Sequence, residues 1–141
     1  MPTATSWYDA PGLWLKGNVH THTTASDGAF TPEETVRRYA ALGYDFLAMA
    51  DHWKRTRLAK KPKGIVMIPA LEMDFRVGRS LYHMVALGTK RELPWRRFPS
   101  VTAAAAYARE AGAIPVLSHP HWSGNTSAEL SRAGGLAGIE I

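Results

Sequence analysis

The sequence predicts an α/β fold built on a mainly parallel sheet. Two observations carry this reading. Short apolar runs alternate with segments that open on helix-start signals, and the polar residues able to do chemistry gather where the apolar runs end. This pattern does not separate an open sheet from an incomplete barrel. At 141 residues the chain can bury one hydrophobic core but is short for two ordinary domains.

Residues 1–12 read as an irregular lead-in, closed by Pro11-Gly12, and 13–141 as one domain. Leu13 to Val19 is the first strand. Thr31-Pro32-Glu33-Glu34 opens a helix: Thr31 caps, Pro32 suits the first turn and Glu34 completes a capping box. Val36, Tyr39, Ala40 and Leu42 give that helix an apolar face, and Gly43 ends it. Phe46 to Ala50 is a buried strand running into Asp51-His52, and a lysine- and arginine-rich loop follows over residues 53–64. Ile65 to Leu71 is a strand ending at Glu72, Arg76 to Ser80 a turn, and Tyr82 to Leu87 a strand with His83 near its start. Ser100 caps an alanine-rich helix, Val101 to Ala111, stopped by Gly112. Ala113 to Leu117 is a strand ending at Ser118-His119-Pro120-His121. Thr126 and Glu129 form a further capping box for a short helix to about Arg132, and Leu136 to Ile141 is the last strand. The expectation is six strands and three helices, without an internal repeat.

Composition narrows the chemistry. There is no cysteine, so disulfides and thiolate metal sites are excluded. No apolar run approaches the roughly 20 residues of a membrane span, and Met1 to Tyr8 lacks the charged and apolar regions of a signal peptide, so the cytoplasm is the expected location. A net charge of +5 suits anionic partners such as phosphates or nucleic acid, and equally suits an ordinary basic surface.

Five of the six histidines, His20, His22, His52, His119 and His121, fall at or just after an expected strand end. None lies on a helix. His20 and His22 are two residues apart, so on an extended chain both rings share one face and can meet one ion. Asp27, Asp51 and Glu72 stand at similar positions. Imidazole and carboxylate without thiolate suit Zn²⁺, Mn²⁺ or Fe²⁺. Seven candidate ligands, His20, His22, Asp27, Asp51, His52, Glu72 and His119, exceed what one ion takes, so at least two ions are implied. Paired ions of this kind clamp phosphoryl groups and activate water near neutral pH.

The segments His20-Thr21-His22, Ser26-Asp27-Gly28, Ala50-Asp51-His52, Leu71-Glu72-Met73 and Ser118-His119-Pro120 resemble, in order and spacing, the successive motifs of the PHP (polymerase and histidinol phosphatase) family over residues 16–141. The stretches Asn18 to Trp53 and His119 to Gly124 look most like its CehA/McbA-type branch. The resemblance implies a distorted (β/α)7 barrel with two or three divalent ions. His20 and His22 would hold the first, Glu72 would bridge to a second held by His83 and His119, and Asp27 and His52 would approach a third. A metal-bridging hydroxide would then attack phosphorus, and Asp51 would orient a histidine rather than ligate. The family pattern continues into a late Asp-x-His pair that this sequence does not contain, so the expectation is an incomplete barrel with an exposed edge strand at Leu136 to Ile141.

Other signals are less specific. His121 suits packing or indirect support of the site, with substrate contact as the alternative. The basic loop, expected on the site face, could guide phosphate or a nucleic acid strand or simply be solvated. Trp95-Arg96-Arg97-Phe98 permits base stacking and equally suits a loop anchored by its aromatics, while Trp53 and Trp122 are candidate pocket walls. The leading expectation is a metal-dependent phosphoesterase acting on a small phosphate-containing substrate. A nuclease acting on single-stranded nucleic acid and a catalytically inactive binding module are the alternatives.

Overall fold

Two small sheets meet at one seam, and the seam is where the histidines gather. The computed structural model describes residues 11–141, so nearly all of the expected lead-in lies outside the described residues. Strands β1 (Gly17–Asn18), β2 (Phe46–Met49) and β3 (Val66–Pro69) form a parallel sheet in that order. Strands β4 (Glu72–Val77), β5 (Ser80–Leu87), β6 (Ile114–Ser118) and β7 (Gly138–Ile139) form the second sheet, also in chain order. An isolated parallel bridge between His52 and Glu72 joins the two.

The second sheet corrects the expectation of a mainly parallel arrangement. β4 pairs antiparallel with β5, and β5 with β6; only β6 and β7 run parallel. Glu72 is therefore the first residue of a strand rather than the end of one. The expected turn over residues 76–80 shrinks to Gly78-Arg79, with Gly78 at φ +61°, and β4 fills residues 72–77, where no strand was expected. The first strand is also shorter than expected, because Leu13, Trp14 and Leu15 are exposed before β1 begins. β1 starts at a glycine for a steric reason: a methyl group on Gly17 would lie 2.0 Å from the ring of its register partner Phe46.

Alternation along the hairpin separates core from site. Met73, Phe75, Tyr82 and Met84 point to one face and pack with the alanine-rich side of α2 (Val101–Glu110), through Val101, Ala104, Ala105 and Ala108. Glu72 and Asp74 point to the other face, where Asp74 stands opposite His83 and His83 opposite Ser118. Ser100 caps α2, accepting from Ala103 N at 3.1 Å. A second core joins Val36 of α1 (Pro32–Ala41) to Leu47, Met49 and Ile65.

The expected capping boxes divide. Thr126 and Glu129 form both halves of theirs at α3 (Ser127–Leu130), a helix shorter than expected. At α1 Thr31 accepts from Glu34 N, but the Glu34 carboxylate turns outward to Arg37 and Arg38. Among the described residues β1 and β3 are the edge strands of the first sheet and β4 and β7 of the second, and no helix is long and apolar enough to cross a membrane.

Candidate metal centre

Glu72 is the hub of the seam. Its side chain is 1% exposed, and four imidazoles converge on its two oxygens. Oε1 lies 3.2 Å from His20 Nε2 and 3.3 Å from His119 Nε2, and Oε2 lies 3.2 Å from His22 Nε2 and 3.6 Å from His52 Nδ1. The two-residue spacing of His20 and His22 brings their Nε2 atoms to 3.1 Å. Backbone pairing fixes these positions: Ala50 N donates to Thr21 O, Glu72 N to Asp51 O and Trp53 N to Glu72 O. Two non-glycine residues among the described ones have positive φ, and both adjoin the hub: His119 at +27° and Trp53, next to His52, at +51°.

Asp51, fully buried, organises the loop after His22. It accepts from Thr23 N at 2.7 Å, Thr23 Oγ1 at 2.9 Å, Ser26 Oγ at 2.8 Å and the Thr56 hydroxyl. No imidazole touches it directly. Its link to a histidine runs through Ser26, whose Oγ is 3.3 Å from His22 Nδ1. The same loop delivers Asp27, with Oδ1 3.1 Å from His22 Nδ1 and Oδ2 3.6 Å from His52 Nε2. Gly28 closes it so tightly that a methyl group there would lie 2.4 Å from the His22 carbonyl and 2.5 Å from Thr23 N. The Gly28→Ala chain should therefore lose on the order of 1–3 kcal/mol of stability, read as a lower thermal midpoint. An unchanged midpoint would show that the loop has room to spare.

The charges follow from burial and contact. Burial alone would push the Glu72 carboxyl up, but the contacts with His20 and His22 outweigh it and hold the group far below the usual carboxylate range. Burial opposes charge on His20 as well, yet its contacts with Glu72 and Glu140 leave it raised. His22 is raised mainly by Glu72. His83 is lowered, chiefly by burial, which favours its neutral ring.

These residues fit divalent cations. Ligands about 2.0–2.1 Å from one tetrahedral ion stand about 3.3 Å apart, close to the spacing of His20 Nε2, His22 Nε2 and Glu72. Glu72 Oε1 is buried with no aligned hydrogen-bond donor, the condition of an acceptor waiting for a cation. Three sets offer ligand atoms within 4.8 Å of one another: His20, His22 and Glu72; His22, Asp27 and His52; His20, His119 and Glu140. A cavity of about 340 Å³ opens beside them, lined by His22, Asp27, His52, Glu72, His83, His119 and Trp122.

No family model matches the chain. Among curated proteins it is 35% identical over 85 residues to a 5'-3' exoribonuclease of Haemophilus influenzae, covering 56% of this chain and 31% of that protein. It is 36% identical over 76 residues to a 3',5'-nucleoside bisphosphate phosphatase of Chromobacterium violaceum, covering 50% and 27%. The matches thus span about a third or less of these relatives. Among solved structures it superposes on an amidohydrolase from Chromobacterium violaceum with TM-score 0.73 and 19% identity, covering 88% of this chain and 76% of that one. It also superposes on a two-domain protein from Bacteroides vulgatus that contains a predicted PHP-like metal-dependent phosphoesterase, with TM-score 0.64 and 19% identity, covering 89% and 43%. The chain has the fold of the PHP-like phosphoesterases.

Within this PHP-like fold, six of the seven residues assigned by resemblance line the cavity, and His20, in contact with Glu72 and His22, does not. His83 belongs to none of the three ligand sets. Its ring faces His119 and Trp122, and its Nδ1 is 2.9 Å from Ser123 Oγ. His121 is exposed and does not line the cavity. Trp122 walls the pocket, whereas Trp53 turns to the core, stacks on Phe98 and donates Nε1–H to Asp74 O. The basic loop is also corrected. It starts at the site through Thr56, but Arg55, Arg57, Lys60 and Lys61 line a separate cavity of about 470 Å³ against β3.

Two carboxylates escaped the sequence reading. Asp74 Oδ1 lies 3.1 Å from His52 Nδ1, and Glu140 Oε2 lies 2.8 Å from His20 Nδ1. Asp74 is two residues beyond Glu72, the same spacing that singled out His20 and His22. Glu140 follows the last strand, as the other site residues follow theirs.

Proposed function

We propose that this chain is the cation-binding part of a metal-dependent phosphoesterase, with a small nucleotide-like phosphate ester as substrate. The observation that carries the reading is the convergence of four imidazoles on one buried carboxylate at ligand-to-ligand spacing. His20, His22 and Glu72 would hold one ion, His22, Asp27 and His52 another, and His119 with Glu72 the remaining position, in the resemblance's scheme together with His83. When bound, such ions supply Lewis acidity to phosphoryl oxygens and lower the pKa of water. The protein's own residues do the rest. Asp51 sets the loop that aims His22 and Asp27, and Trp122 and His83 wall the cavity beside them.

The names of the two curated relatives, one a bisphosphate phosphatase and one an exoribonuclease, support a nucleotide or a nucleic acid strand as substrate. A groove of about 520 Å³ favours the strand reading as the second choice. It is lined by Asp74, Arg76, Trp95, Arg96 and Arg97, and it adjoins the site because Asp74 also contacts His52. Phe98, fully packed, anchors that loop, while Trp95 stays 61% exposed and free to stack.

Metal analysis of the purified chain after Zn²⁺ or Mn²⁺ supplementation should give at least one ion per chain. Hydrolysis of a nucleoside 3',5'-bisphosphate should stop on chelation and return with metal. Fewer than one ion per chain would leave the inactive binding module as the better description. Mononucleotide release from a 5'-labelled single strand would favour the nuclease.

A further inference from the structure

Glu140 is carried to the site by β7. That strand runs parallel to β6 with Val116 opposite Gly138 and Leu117 opposite Ile139, and Glu140 N donates to Leu117 O at 2.8 Å. The carboxylate then stands one step before His119, across from the ring of His20.

The two nitrogens of His20 face different partners. Nε2 points inward, 3.1 Å from His22 Nε2 and 3.2 Å from Glu72 Oε1. Nδ1 points the other way, 2.8 Å from Glu140 Oε2. Although His20, His119 and Glu140 could together offer atoms to an ion, a 2.8 Å contact is the length of a charge-assisted hydrogen bond and is shorter than the roughly 3.3 Å between two ligands of one tetrahedral ion. An imidazole that donates Nδ1–H to a carboxylate keeps its Nε2 lone pair bare, and here Nε2 is the atom aimed at Glu72 and His22.

We propose that Glu140 is a positioning residue for His20. It holds the ring in the Nδ1–H tautomer and in the orientation that presents Nε2 to a cation shared with His22 and Glu72. The pair also links the segment that follows β1, an edge strand of the first sheet, to the segment that follows β7, an edge strand of the second. This inference rests on the reading of His20, His22 and Glu72 as cation ligands.

The test compares wild type, Glu140→Ala and Glu140→Gln by competition titration with Zn²⁺, and by ¹⁵N spectra of the histidine rings. The expected result is a 10–100-fold loss of Zn²⁺ affinity in Glu140→Ala, with partial recovery in Glu140→Gln, whose amide oxygen still accepts the hydrogen bond. Wild-type His20 should carry its proton on Nδ1, and in Glu140→Ala the tautomers should mix. Circular dichroism and thermal melting show whether either variant has lost its fold, and the ring spectra of wild type read the tautomer whether or not it has. If wild type takes up no Zn²⁺, the ligand reading falls and this inference with it. If wild type binds but both variants bind within twofold of it, or if wild-type His20 carries its proton on Nε2, the role of Glu140 alone is overturned.

Discussion

Glu72→Gln is expected to weaken cation binding by more than about 100-fold, beyond the roughly 10–100-fold typical of outer partners of metal ligands, and to remove the proposed phosphoesterase activity with it. The substitution keeps the size of the side chain and removes the one charge that His20, His22, His52 and His119 share. An amide nitrogen would also place a donor where imidazole nitrogens already crowd. Without metal the same change should reshape the dependence of stability on pH. Because the Glu72 carboxyl is held well below its ordinary 4.5, its contribution is present above about pH 4.5 and is lost as pH falls through the folded value. Because His20 and His22 are raised above 6.5, their contribution is complete below that value and is lost as pH rises through the folded ones. The network therefore adds most between about pH 4.5 and 6.5, and Glu72→Gln should flatten both limbs. Melting curves across pH in a chelating buffer test this; superimposable profiles for the two proteins would count against Glu72 as the hub.

Asp51→Ala should be the most destabilising single change around the site. Thr23 N and Oγ1, the Ser26 hydroxyl and the Thr56 hydroxyl all lose their acceptor at a residue with no solvent exposure. Stranded buried donors cost about 1–3 kcal/mol each, and partial rehydration of the outer hydroxyls leaves a net loss of about 3–5 kcal/mol. At about 4 °C per kcal/mol, between the values for 60–100-residue and 150–250-residue domains, the midpoint should fall by about 12–20 °C. Asp51→Asn, which keeps two acceptor lone pairs, should lose less. A fall of only a degree or two in Asp51→Ala would mean that the loop carries its own stability.

Much of the site was legible because metal ligands obey simple spacing on extended chain. His20 and His22 two apart, Asp27 in the following turn, and His52 and His119 at strand ends all follow from side-chain alternation and the habit of α/β sheets to build sites where strands finish. The antiparallel hairpin was not legible. Glu72 to Val77 contains Glu, Asp and Arg, and its alternation reads as polar loop until the pairing with β5 shows that Glu72 and Asp74 share the site face while Met73 and Phe75 face α2. Glu140 was hidden differently. Its neighbours Gly138 and Ile139 make a two-residue strand, and only the long-range register with β6 brings its carboxylate to His20, 120 positions earlier in the chain. The role of Asp51 lay between these cases: its support of the site was anticipated, but its partners are hydroxyls and a backbone amide rather than a ring.

The seam between the sheets has a consequence for motion. Each sheet has its own apolar cluster, one under α2 and one under α1, with a small alanine-rich cluster of Ala48, Ala50, Ala70 and Val85 between them. The expected result in native-state amide exchange is two cooperative units, one around each of the larger clusters. The histidine-carboxylate hub lies at the seam between them. A cation held there would act as a clasp between the units, so its uptake would be reported by slowed exchange at amides such as Glu72 N and Trp53 N, which sit on the bridge itself.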